Sequence, residues 1–129
     1  MKTDIGRRWV NALRSGNYKQ GKAALKKDFS EDGAGAEYCC LGVLCDLYSQ
    51  EFGVPWEIDI EPAQSLMGES EYLPPAVAQW AGLPDTTVPS VSIEGNKMLL
   101  PLTAINDDFD YDFEAIAELI ETQLIKETT

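Results

Sequence analysis

Apolar positions first recur at helical spacing near the N-terminus, where Ile5, Trp9, Ala12 and Leu13 share one face. This predicts a helix from about Asp4 to Ser15, capped by Thr3 or Asp4 and closed by Gly16. Residues 17–22 are polar and read as a loop or short extended piece leading into Ala23, Ala24 and Leu25. Residues 30–35 form a turn-rich loop. The run from Tyr38 to Tyr48 is apolar on almost every side, which places it at the centre of the domain. A buried helix is favoured there over a buried strand, with Gly42 admitting a close neighbour. Gly53 to Trp56 breaks it. Residues 57–73 read as loop, with a short helix near Ala63–Met67. Pro74 and Pro75 then open a helix over Ala76–Trp80, which Gly82, Leu83 and Pro84 stop. Val91, Ile93, Met98 and Leu100 alternate around Glu94, Gly95 and Asn96, predicting a hairpin over about 88–101. From Asp112 to Lys126, Phe113, Ile116, Ala117, Ile120 and Leu124 recur as an amphipathic helix, with Asp112 as its N-cap. The expected fold is α+β: a mainly helical single domain over 1–129, with one small β-hairpin and a C-terminal amphipathic helix.

Composition supports a folded domain and narrows its chemistry. The 129 residues are 44% hydrophobic and 25% charged, enough for one core without metal or disulfides. No apolar run approaches the roughly 20 residues of a membrane helix, so no membrane partner is expected. No signal peptide is read at the N-terminus, because no apolar stretch follows its charges. The three cysteines, Cys39, Cys40 and Cys45, are odd in number and lack C-x-x-C spacing, which fits a reduced cytoplasm and inert buried thiols. Histidine is absent, which excludes Ser-His-Asp, Cys-His and H-E-x-x-H chemistry. No catalytic constellation is recognised, and neither a cofactor nor a metal is expected.

Charge is divided unevenly along the chain. Residues 1–27 hold eight bases against one acid, a balance of +7, and residues 28–129 hold two bases against 21 acids, a balance of −19. The net charge of −12 repels long nucleic acid, while a local cationic surface can still hold a small anion. Arg14, Lys19 and Lys22 flank the Gly16–Gly21 loop together with Tyr18 and Gln20, a set able to take phosphate and stack on a ring. The competing reading is that these bases pair with the protein's own acids. Gly16 to Lys22 has the G-x-x-x-x-G-K spacing, but Ala23 stands where a Walker loop needs Ser or Thr, and the loop follows a helix. An EF-hand starting at Asp108 fails because Phe113 replaces its glycine and Leu119 its glutamate. Asp46 lies within the apolar run and needs a partner, for which Arg14 or Arg8 is the candidate.

The blocks WVNALRSGNYKQG over 9–21, YCCLGVLCDL over 38–47, LPPAVAQWAGL over 73–83, IND over 105–107 and FEAIA over 113–117 resemble an uncharacterised family of small phage and prophage proteins. The resemblance implies phage origin and expression in the cytoplasm of a bacterial host, where small accessory proteins often counter host defence. One implied function is anti-defence sequestration of a small phosphorylated nucleotide-type immune signal, bound without cleavage. Arg14, Lys22, Tyr18, Gln20, Asn106 and Asp107 supply the bases, ring and ribose partners such a ligand needs. The alternative is an acidic decoy, a DNA mimic or interaction module that inhibits a basic host protein. A second copy of the chain is a further open partner.

Overall fold

The computed structural model describes residues 1–29, 35–83, 88–95 and 98–125. Five helices lie among them: α1 (Thr3–Arg14), α2 (Cys40–Phe52), α3 (Pro75–Ala81), α4 (Leu102–Asp108) and α5 (Phe113–Gln123). Seven short strands accompany them: β1 (Lys19–Gln20), β2 (Lys26–Phe29), β3 (Gly35–Tyr38), β4 (Glu57–Ile58), β5 (Ala63–Ser65), β6 (Ser90–Val91) and β7 (Leu100–Pro101). The fold is mixed α+β with a C-terminal helix, as the hydrophobic pattern predicts.

The core is built around α2. Cys40 to Cys45 are all buried, and α1, α3, α4 and the strand β3 contact this helix. Gly42 lies directly against the backbone carbonyl of Leu25, so a side chain there has no space. Trp9, fully buried on α1, donates its indole Nε1–H to the Cys40 carbonyl at 2.9 Å. α1 also packs along α5, where Phe113, Ile116, Ala117 and Ile120 turn inward. Asp112 caps α5 as expected, accepting from the Ala115 amide at 2.9 Å. Gly16 follows α1 at φ +79°, the left-handed turn that ends the helix. α1 itself begins on Lys2 without a side-chain cap, so the expected Thr3 or Asp4 cap is corrected.

Several elements depart from the sequence reading, among them the sheet formed by β1 to β5, where only one hairpin is expected. Residues 63–65 form strand β5, where a short helix is expected; pairing with β2 on one side and β4 on the other overrides the local pattern. α4 occupies Leu102–Asp108, where Leu102, Ile105 and Asn106 face inward at i, i+3 and i+4. The acids that follow hide that short period.

The strands form a five-stranded sheet in the order β1-β3-β2-β5-β4, and β6 pairs with β7 in a separate antiparallel ribbon. The ribbon is the hairpin expected over 88–101, with Asn96 of its turn outside the described residues. Most of the 30–35 loop, Pro84 and Lys126 also lie outside them. No helix among the described residues is long and apolar enough to cross a membrane.

Candidate functional site

Four bases of the N-terminal segment, Arg8, Arg14, Lys19 and Lys22, fold onto the protein's own acids. The three nitrogens of the Arg14 guanidinium each meet a carboxylate of α5, from Glu114, Glu118 and Glu121, all at 3.2 Å. Glutamates at i, i+4 and i+7 present one row, and α1 lays its last turn along it. Arg8 pairs with Glu51 at 3.1 Å and lies 5.5 Å from the centre of the Trp80 ring. Lys19 pairs with Glu37 at 3.3 Å, and Lys22 reaches Asp110 at 3.7 Å. Arg14 and Lys22 are therefore directed to different acids, and the loop does not gather them around one anion.

Asn106 is the buried node of the site, only 1% exposed. Its Oδ1 accepts from the Gln20 amide at 2.9 Å and from the Cys40 backbone N–H at 3.3 Å. Its Nδ2 donates to the Gly21 carbonyl and to Asp107 Oδ1, both at 2.8 Å. Gln20 also donates to the Tyr111 carbonyl at 2.9 Å. The blocks at 9–21, 38–47 and 105–107 thus meet through a satisfied hydrogen-bond network that ties β1, α2 and α4 together.

A second polar node surrounds Asp46, 8% exposed on α2. Its carboxylate accepts from the Tyr18 hydroxyl at 2.6 Å, the Gln50 amide at 2.7 Å and the Trp56 indole N–H at 3.0 Å. Neither Arg14 nor Arg8 is among these donors; both are held by glutamates, which corrects the partner expected for Asp46. Burial, with the nearby Asp46 charge, raises the Tyr18 phenol far above its ordinary range and pushes Tyr38 up to about 12. Tyr18 and Tyr38 meet edge to face at 5.0 Å, and Tyr38 approaches Trp56 at 6.4 Å. The Lys26 ammonium lies 5.4 Å from the Tyr38 ring centre and 5.3 Å from that of Trp56, so this lysine covers both rings.

Two clefts flank the Asn106 node. One, of about 230 Å³, brings together Gln20, Lys22 and Asn106 with Asp110, Tyr111 and Asp112. A phosphate there meets one ammonium and two carboxylates. The other, of about 270 Å³, lies between the 23–24 turn, residues 71–72 and α4, and takes Asp107 and Asp108 with Glu71 and Tyr72. Asp107 Oδ2 accepts from the Ala23 backbone N–H at 3.2 Å, across a residue held at φ +71°. Of the six residues singled out in the sequence, Gln20, Lys22 and Asn106 share a cleft, Asp107 opens on its neighbour, and Arg14 and Tyr18 lie elsewhere. Gln50, Trp56 and Glu71 were not singled out, because no local pattern marks them.

The three cysteines are buried, and desolvation pushes Cys39 up to about 11 and Cys40 and Cys45 well above the usual thiol range. They are neutral packing groups at physiological pH. Among the described residues no group of three or more His, Cys, Asp or Glu side chains is placed to hold a metal ion.

No curated protein and no solved structure matches the chain. The model of the family described as Domain of unknown function (DUF8296) matches residues 1–124, and the chain belongs to this family.

Proposed function

We propose that the protein is an acidic interaction module that binds a basic macromolecule and blocks it. The observation that carries this reading is the fate of the charges. Arg8, Arg14, Lys19 and Lys22 are spent on internal pairs, whereas residues 107–121 carry seven acids and no base. Asp110 stays 92% exposed, and Glu114 and Glu118 stay 68% and 63% exposed even beside Arg14. A surface of this kind steers and holds cationic partners, with a strength that falls as salt rises. Within the phage context that the sequence blocks imply, the partner is a basic host protein in the bacterial cytoplasm and the role is anti-defence.

The test is capture of a purified basic partner from a bacterial host on the immobilised protein, across a salt series. Capture that weakens steeply with salt, and weakens again in an Asp108→Asn, Asp110→Asn double variant, is the expected result. Salt-independent capture, or none, removes the reading.

A second reading is sequestration of a small phosphorylated nucleotide without cleavage. It is favoured by the Lys26–Tyr38–Trp56 cluster, where an ammonium and two rings meet. A thermal-shift panel of nucleotides and cyclic dinucleotides tests it: one member must raise the melting temperature by several degrees and leave the panel unhydrolysed.

A further inference from the structure

We infer that the cleft between the 23–24 turn, residues 71–72 and α4 receives the guanidinium of an arginine side chain from the basic macromolecule. This rests on the acidic-module reading and adds the place and the residue type it recognises.

Size is the first argument. A cleft of about 270 Å³ is below the roughly 300–1,000 Å³ of sites that enclose whole small ligands, but it has room for one long side chain with some water. Charge is the second. Glu71 comes from one segment and Asp107 and Asp108 from another, and no base is among the lining residues described. The walls are the third. Ala23, Ala24 and Ala104 offer small apolar surface for a methylene stem, and Tyr72, 44% exposed, offers a ring at the mouth.

Preorganisation favours a planar fork over a point charge. Asp107 is held by two donors, the Asn106 amide on Oδ1 and the Ala23 N–H on Oδ2, so its carboxylate plane is set before anything binds. A carboxylate has about four acceptor positions, so two remain for a ligand. A guanidinium fills such positions in pairs and stacks on an aromatic face, which an ammonium does not. The protein already places one guanidinium between a carboxylate and a ring, there through a single nitrogen. Arg8 pairs with Glu51 while lying over the Trp80 ring.

The experiment is an amide chemical-shift titration of the full chain with agmatine, at constant ionic strength. The amides of Ala23, Ala24, Thr103 and Ala104 are expected to shift along one saturable curve. Asp108→Asn and Tyr72→Ala change exposed side chains, and each is expected to weaken agmatine about fivefold, the effect of one partly exposed charged or stacking contact. Shifts confined to the Glu114–Glu118–Glu121 row overturn the inference, as do unsaturated shifts spread over all acidic surface. So does a nucleotide that moves the cleft amides when agmatine does not. Capture of the basic partner separates the two claims. If Tyr72→Ala leaves capture intact while Asp110→Asn reduces it, the arginine receptor falls and the acidic module stands; if neither salt nor any acid matters, both fall.

Discussion

The Asn106 node and the Arg14 clamp are both polar clusters joining distant parts of the chain, yet they are built on opposite terms. Asn106 is buried, uncharged, and bonded to four groups from β1, its following turn, α2 and α4. Arg14 is partly exposed and shared among three carboxylates that remain open to solvent. Buried polar groups cost the most when a partner is removed, because the orphan has no water to turn to. Exposed ion pairs lose little, since solvent replaces them. The inner cluster therefore holds the fold, and the outer one leaves its surplus charge exposed to solvent.

The largest effect expected is at the closest inner contact. Gly42→Ala drives a methyl group into the Leu25 carbonyl and should cost at least about 4 kcal/mol in urea unfolding, or leave no folded protein. A loss under about 1 kcal/mol would mean that α2 slides freely over the β2 approach. Asn106→Ala strands the Cys40 N–H and the Gly21 carbonyl and should cost about 3 kcal/mol. If it costs no more than an exposed pair, the contrast between the two clusters collapses.

Asp46→Asn keeps the shape but replaces one acceptor oxygen by a donor, so about 2 kcal/mol should be lost. An ultraviolet titration should then show the Tyr18 phenol ionising nearer its ordinary range, because the neighbouring charge is gone. The unaltered protein has a matching pH dependence. Cys39 and Tyr38 have folded pKa values raised above their unfolded ones, so the folded state holds more protons in alkali. That stability is complete below about pH 9 and is lost as pH rises through about 11 and about 12. Denaturation midpoints rising with pH in this window contradict the assignment. At the outer cluster, Arg14→Gln should cost only about 1 kcal/mol at low salt and less at high salt. A salt-insensitive loss of about 3 kcal/mol would place that clamp among the interior contacts instead.

Much of the fold was legible because its signals are local. α1, α2, α3 and α5 follow from period, capping and glycine placement, as at Asp112 and Gly16. The five-stranded sheet was not legible. Its strands run two to four residues and show no alternation; β2, Lys26–Phe29, is half-buried throughout. They exist because backbone partners lie alongside, and the pairing of β2 with β5 that joins the sheet comes from far along the chain. The candidate site was legible in part. Gln20, Lys22, Asn106 and Asp107 converge around α4, while Tyr18 and Arg14 belong to other contacts.

What the sequence by itself determined is the kind of molecule this is: mainly helical, without histidine chemistry, basic at its start and acidic beyond. Those properties are sums and periods over neighbouring residues, so they survive any arrangement of the elements. Only the tertiary structure decided which acid meets which base. Arg14 and Glu114 are 100 residues apart, and nothing near either one names the other. That pairing braces α1 against α5, and it leaves Glu114 and Glu118 largely exposed beside the guanidinium.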